Sequence, residues 1–429
     1  MGERPGDSGI CLRLSVMDGR RILISPLNWG LGHAGRMIPL ALELRNRGHE
    51  VIFGVDRSII PVIEKDLPGI KIIELSGVGI RYSAVLPQFI SIFLQLPRIV
   101  AAAFREHSAL KSLAFELKPD IIISDNRFGF FHKEIFSVFV THQLRIPFPK
   151  GMRFLEPAAA WLNRKIIGNF DLCLVPDYPG NENLSGRLSH QLKLPENVFY
   201  MGPLSRFSGA SAGGAFMGDS DLGEADLGES NLKETDMGEA YMRKSDMGKP
   251  YLGESKINLP HPYWCLILSG PEPQRSLLFE KVTEALSGIR LVILCGSPAP
   301  RCRKNPDNIT GAMDPGNITV ITDPDTATME KIITGSSLVI SRAGYSSIME
   351  LVSLGKGGVI IPTPGQTEQE YLGQYHNGRH GFTTLKQKDL AHLREISPEA
   401  QGAHSPSFPE TSALQEEAVR LLFEQNNKS

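Results

Sequence analysis

"SRAGYSSIMELVSLGKGGVIIPTPGQTEQEYLGQY", residues Ser341 to Tyr375, decides the fold class. It starts at the end of an apolar run, SSLVISRAG, turns through Ala343-Gly344 and enters a helical pattern that carries Glu350. A second apolar run, GGVIIPTPG, then leads into another helical pattern with Glu368 and Gln369 at its start. Short apolar runs bounded by turn residues and joined by helices are strands covered on both faces, which means a parallel, doubly wound α/β sheet. Working outward, YWCLILSG, RLVILCG and NITVITD continue this scheme in the second half of the chain. The first half has its own set: RRILISP, HEVIFGVD, IKIIEL, PDIIISDN, SVFVTHQ and DLCLVPD. Two nucleotide-binding-like domains of this kind, facing each other, place a ligand cleft between the carboxyl ends of their strands.

Composition agrees with two ordinary domains. The chain has 429 residues, 41% of them apolar, and a formal net charge of -2. That balance gives no general attraction to nucleic acid, and no nucleic-acid partner is expected. The five cysteines are odd in number, scattered and without a C-x-x-C pair, which argues against a disulfide framework and a zinc site and fits a reducing cytoplasm. Residues 1–16 lack the apolar core of a signal peptide, and no stretch has the uninterrupted apolar length of a membrane span. The expected organisation is an extension at 1–19, a first Rossmann-like domain at 20–206, a linker at 207–258, a second Rossmann-like domain at 259–405, and a helix and tail at 406–429.

The linker contains a pentad pattern between Met217 and Ser255, MGDSD LGEAD LGESN and onward, with Leu or Met leading each unit. It resembles pentapeptide repeats, which stack as a β-helix, but about eight units make only about two coils, few for a stack that needs several neighbours. A flexible acidic linker is the other reading.

The chemistry concentrates at strand ends. In the first half, SPLNWGLGHAGR (Ser25–Arg36) puts Gly30, Gly32 and His33 just after the first strand, ahead of an amphipathic helix read from Met37. Backbone N–H groups in such a loop can approach an anion or polar ligand closely. In the second half, Gly344 followed by Tyr345, Ser346 and Ser347 places donors at a helix N-terminus, where a diphosphate is stabilised. Glu350, less than two turns further on, offers a carboxylate to a ribose diol, and Glu368 with Gln369 offers an acceptor and an amide of the kind that read sugar hydroxyls. Each has a plainer reading: Glu350 as an exposed helix glutamate, and Glu368 and Gln369 as ordinary helix starters.

The spacing Ser-Arg-x-Gly, Glu350, proline and then Glu368-Gln369 resembles the carboxyl-terminal domain of family 28 glycosyltransferases, the peptidoglycan lipid II N-acetylglucosaminyltransferases among them. NWGLGHAGR is similar to that family's first glycine loop, and ISDNRFGFF and FVTHQL resemble a separate bacterial branch. The resemblance covers most of residues 20–205 and 260–385. It implies the GT-B fold and a nucleotide-sugar donor, UDP-linked, held by Gly30, Gly32, Ser269, Gly270, Arg342, Gly344, Tyr345, Ser346, Glu350, Glu368 and Gln369. Three departures bear on the identity of the sugar: fewer glycines in the first loop, Glu370 where the family has a second glutamine, and Gly373 in place of an asparagine.

Sugar transfer makes negative charge on a leaving diphosphate and frees a proton from the acceptor hydroxyl. Helix dipoles and basic groups can meet the first demand, so no metal or other cofactor is expected. His33 is the expected base, since imidazole titrates near pH ~6.5, and Asp125 is the second candidate. Their alternatives are a loop-capping histidine and a helix-capping aspartate. Arg342 either reaches phosphate or pairs internally, while His132 and His142 are read as structural. Leu86–Lys118 is strongly apolar with interspersed Arg98, Arg105 and Lys111, so it either fills the core or lies on the cytoplasmic face of an inner membrane beside a lipid-linked acceptor. The expected activity is an inverting hexosyl transfer. A hydrolase or epimerase on the same fold, or a non-catalytic sugar or protein binder, are the alternatives, and an incomplete G-x-G-x-x-G disfavours a nicotinamide oxidoreductase.

Overall fold

The computed structural model describes residues 19–28, 31–75, 88–207, 259, 261–296, 317–396 and 411–424. The pentad tract, Gly30, Cys11 and Cys302 lie outside them. The first sheet is built from β1 (Arg21–Pro26), β2 (Glu50–Val55), β3 (Lys71–Glu74), β4 (Ile121–Asp125), β5 (Phe136–Val140), β6 (Leu172–Val175) and β7 (Val198–Tyr200), in the spatial order 3-2-1-4-5-6-7. The second holds β8 (Trp264–Leu268), β9 (Leu291–Cys295), β10 (Ile318–Thr322), β11 (Leu338–Arg342), β12 (Gly358–Ile361) and β13 (Phe382–Thr384), in the order 10-9-8-11-12-13. Every pairing within both sheets is parallel. Ile121–Asp125 and Leu338–Arg342 are buried along their whole length, as strands covered by helices on both faces must be. The two edge strands β7 and β13, three residues each, went unread because so short a run shows no periodicity.

The helices are α1 (Leu31–Asn46), α2 (Ile60–Asp66), α3 (Gln88–Leu117), α4 (Glu156–Ile167), α5 (Gln274–Ala285), α6 (Thr326–Gly335), α7 (Tyr345–Ser353), α8 (Thr367–His376) and α9 (Thr411–Glu424). Helix α1 begins six residues before Met37, where sequence reading started it, so Gly32, His33 and Arg36 sit on a helix and not in a loop. Glycine in a helix costs about 1 kcal/mol relative to alanine. Here burial of Ala34, Met37, Ile38, Ala41 and Leu44 on one helical face outweighs it.

The two halves of the chain pack against each other at two places. Tyr178, Leu184 and Leu188 of the first domain and Phe207, the first residue of the linker, pack in one cluster with Tyr263, Ile348 and Leu372 of the second domain. Buried Asp177 turns the chain there, accepting from the backbone N–H groups of Tyr178, Leu184 and Ser185 at 2.8–2.9 Å. In return, α9 crosses back to the first domain: Ala418, Val419 and Leu422 join the core of Met37, Leu40 and Leu44, Arg47 pairs with Glu416, and Phe423 stacks on His49 at 4.4 Å.

Candidate active site

Three neighbouring strands of the first sheet, β1, β4 and β5, end on the same side and present His33, Asp125 and His142. Sheet order brings these residues together although the chain separates them. At the centre lies Arg36, 1% exposed, one turn beyond His33 on α1. Its Nε donates to Asp125 Oδ2 at 3.0 Å, its Nη2 to Asp125 Oδ1, and its Nη1 lies 3.0 Å from His142 Nδ1. His33 Nδ1 is 3.0 Å from Asp125 Oδ2 and 3.0 Å from Arg36 Nη2. His142 Nε2 then crosses to the second domain, 3.0 Å from Glu368 Oε1, and its ring stacks on Tyr345 with centroids 4.2 Å apart and planes 6° from parallel.

Burial and two strong partners set the protonation of this cluster. The His33 imidazole is held below its ordinary value of 6.5, first by burial and then by the Arg36 charge, against the pull of Asp125. For Asp125, burial works upward, but Arg36 and His33 outweigh it and keep the carboxyl below the usual carboxylate range. Glu368 shows the same balance, with burial outweighed by its bond to His142 and by the His33 and Arg36 charges.

The residues expected from sequence separate into those the structure brings to the cleft and those it uses elsewhere. Gly344 precedes α7 with an extended backbone (φ -84°, ψ 143°) and makes no side-chain cap, so the first N–H groups of α7 carry no cap from it. Ser346 on that helix meets α1 directly: a Cβ built on Gly32 would stand 2.9 Å from its Oγ and 3.0 Å from its Cβ. Gly32 is thus required by the approach of the two domains. Glu350 is present at the cleft but ion-paired, taking Arg206 Nε at 2.8 Å and Nη2 at 3.4 Å. Gln369 Oε1 accepts from the Thr363 backbone N–H at 2.8 Å. Ser269 and Gly270 follow β8, the latter at φ +90°, a conformation that glycine tolerates.

Three of the expected residues have bonded partners within the protein. Arg342 is buried, with Nη1 donating to Gln387 Oε1 at 2.7 Å and Nη2 to the Gln274 carbonyl at 2.8 Å, the internal pairing that is one of its two readings. Burial pulls this guanidinium down to about 10. The Tyr345 hydroxyl donates to the Pro176 carbonyl at 2.5 Å and is likewise committed to the protein. Asp125 is fully buried, bonded to His33 and Arg36. Sequence reading missed Arg36 and Arg206 and set His142 aside as structural. The available signals were Arg36 three residues beyond His33, on the same helical face, and His142 at a strand end like Asp125. Arg206 carries no motif. Among the described residues no group of three or more His, Cys, Asp or Glu side chains is arranged to hold a metal ion.

Helices α3 and α4 of the first domain expose several large apolar side chains. Core contacts of α3 use Leu110, Ala114 and Leu117, while Leu94, Val100 and Phe104 point outward, the last 71% exposed. Phe154, Trp161 and Leu162, on α4 and the turn before it, are also exposed, with Trp161 at 63%. Arg98, Arg105, Lys111, Arg153, Arg164 and Lys165 are exposed on the same elements. No helix among the described residues is long and apolar enough to cross a membrane.

Two parallel sheets with a charged cluster at their strand ends have the fold of GT-B glycosyltransferases, and the chain's similarities are to glycosyltransferases. Residues 280–395 match the model of the glycosyltransferase family 28 C-terminal domain. The chain is 22% identical over 368 residues to an uncharacterized glycosyltransferase of Methanosarcina acetivorans, covering 82% of this chain and 81% of that one. It is 32% identical over 117 residues to "UDP-N-acetylglucosamine--N-acetylmuramyl-(pentapeptide) pyrophosphoryl-undecaprenol N-acetylglucosamine transferase 2" of Bacillus thuringiensis, which covers 25% of this chain and 32% of that protein. Among solved structures, the calicheamicin glycosyltransferase CalG4 matches in fold, with a TM-score of 0.55, 13% identity, and 95% and 99% of the two chains covered.

Proposed function

We propose that the protein is an inverting, metal-independent transferase that moves a hexose or N-acetylhexosamine from a UDP-sugar to a lipid-linked or glycan acceptor. The observation that carries this reading is the His33 imidazole, 17% exposed and bonded to Asp125, on the helix whose Gly32 packs against Ser346 of α7 in the second domain. In the reaction the acceptor oxygen forms a bond to the anomeric carbon from the face opposite the diphosphate. The bond from that carbon to the phosphate oxygen breaks, its electron pair leaves with UDP, and the acceptor proton passes to His33. The N–H groups at the start of α7 meet the charge that develops on the diphosphate. Glu350 exchanges Arg206 for the ribose diol, and Glu368 and Gln369 meet the sugar.

Melting temperature measured with UDP, GDP, TDP, NAD and common UDP-sugars tests the donor. Ligand at about a hundred times its dissociation constant adds about 2.7 kcal/mol to the native state. A rise with UDP compounds that disappears in Glu350→Ala is the expected result. A cooperative melt that no nucleotide shifts removes the transferase reading and favours a binding module, and sugar release without any acceptor favours a hydrolase.

The lipid acceptor and a place on the cytoplasmic face of an inner membrane are supported by the exposed apolar side chains of α3 and α4 with their arginines and lysines. The protein is expected to sediment with phosphatidylglycerol vesicles and not with neutral ones, and Phe104→Asp with Trp161→Asp should weaken that binding. Wild-type protein left in the supernatant by anionic vesicles would leave the glycan acceptor as the surviving reading.

A further inference from the structure

Arg36 is a charged side chain with almost no access to solvent, and every polar contact it makes is to a group of the candidate site. A guanidinium has only hydrogens to offer, so a ring nitrogen whose single bonded partner is Arg36 is an acceptor. His142 Nδ1, 3.0 Å from Arg36 Nη1, therefore carries its lone pair, and the ring proton sits on Nε2, from which it is donated to Glu368 at 3.0 Å. His33 Nδ1 faces two partners, Arg36 Nη2 and Asp125 Oδ2, each at 3.0 Å, but Nη2 already places a hydrogen on Asp125 Oδ1, so the carboxylate decides the proton. A lone pair directed at that carboxylate would oppose the Asp125 charge in a buried setting. Arg36 Nη2 already fills Asp125 Oδ1 and Nε fills one position on Oδ2, so the remaining acceptor of Oδ2 takes Nδ1–H. No described group pairs with His33 Nε2, which is left with its lone pair.

We propose that Arg36 is a positioning residue that fixes the two histidines in opposite tautomers and, by neutralising Asp125, keeps His33 uncharged with Nε2 able to take a proton. This rests on the reading of His33 as the base. It deepens that reading by naming what prepares the base and by tying it, through His142, to Glu368 of the other domain. The charged and titratable groups around His33 are Asp125 from β4, Arg36 from its own helix, His142 beyond β5, Glu368 from α8, and Tyr345 with the Glu350–Arg206 pair on the α7 side. Only Arg36 and Asp125 bond to it. Without Arg36, the buried Asp125 carboxylate has His33 as its one bonded source of positive charge, and the imidazole would protonate.

Long-range proton–nitrogen spectra of the full chain labelled with 15N-histidine read both rings directly, with His33→Gln and His142→Gln used to assign them. In the wild type at neutral pH, His33 should show a protonated Nδ1 and a bare Nε2, and His142 the reverse. In Arg36→Gln, His33 should carry protons on both nitrogens at neutral pH, its titration midpoint raised by about one unit or more. Arg36→Lys retains the charge but cannot span both Asp125 and His142, so His33 should keep its tautomer while His142 loses its fixed one. The proposal is overturned if wild-type His33 holds its proton on Nε2, if both rings share one tautomer, or if a folded Arg36→Gln leaves His33 unmoved. Should Arg36→Gln not fold, the wild-type spectrum and Arg36→Lys still decide. These spectra need no donor, and the nucleotide melts need no tautomer, so the two readings fail separately.

Discussion

Asp125→Ala is expected to lower stability by about 3–5 kcal/mol and to abolish transfer, because it strips the partner from a buried guanidinium. Arg36 is 1% exposed and Asp125 wholly buried, so neither water nor a surface carboxylate can replace the missing charge. The loss should appear as a lower urea midpoint for the first domain, whose core includes β1, β4 and α1. Adding Arg36→Met to this variant should restore much of the stability and none of the activity, since a buried ion pair replaced by apolar groups of similar volume is often neutral. A single variant as stable as the wild type would mean that water reaches this cluster, and the argument for Arg36 as the organiser of the site would fall with it.

His33→Ala carries the largest expected effect on rate. General-base catalysis contributes about 10²–10⁴-fold, and a loss of that size in kcat is expected with nucleotide-induced stabilisation intact, because the ring contacts Asp125 and Arg36 and none of the α7 groups assigned to the donor. The pH dependence follows from the same surroundings. A base must be uncharged to accept a proton, and burial with the Arg36 charge holds His33 below 6.5, so wild-type turnover should persist below pH 6.5 and fail only as the depressed value is passed. For stability the sign is the same: the unfolded chain binds the proton first, so stability tied to His33 is present above about pH 6.5 and is lost as pH falls from there. UDP release followed against pH for the wild type and His33→Ala checks both. A variant that turns over within about threefold of the wild type would transfer the proton role to water or to the acceptor's own surroundings.

Much of the site was legible because strand ends are legible. The runs RRILISP and PDIIISDN stop where their side chains reach the cleft, so His33 and Asp125 could be picked out without knowing what lay beside them. Gly344 and Glu350 were found in the same way, from a strand, a turn and a helix. Arg342 closes an apolar run too, and only packing shows that its guanidinium bonds to Gln387 and Gln274. Gly32 reads as part of a loop, yet it lies in α1, where Ser346 leaves no room for a Cβ.

The sequence by itself determined the alternation of strand and helix, the parallel character of both sheets, the resemblance to a glycosyltransferase family, and the side of each sheet where ligand chemistry belongs. These are local properties, set by periodicity and turn residues within a few positions. The tertiary structure alone decided the partners: Arg36 with Asp125 across 89 residues, Arg36 with His142 across 106, His142 with Glu368 across 226, and the return of α9 to the first core. The reason lies in strand order. A parallel sheet that places β1 beside β4, and β4 beside β5, makes neighbours of residues that no sequence spacing relates.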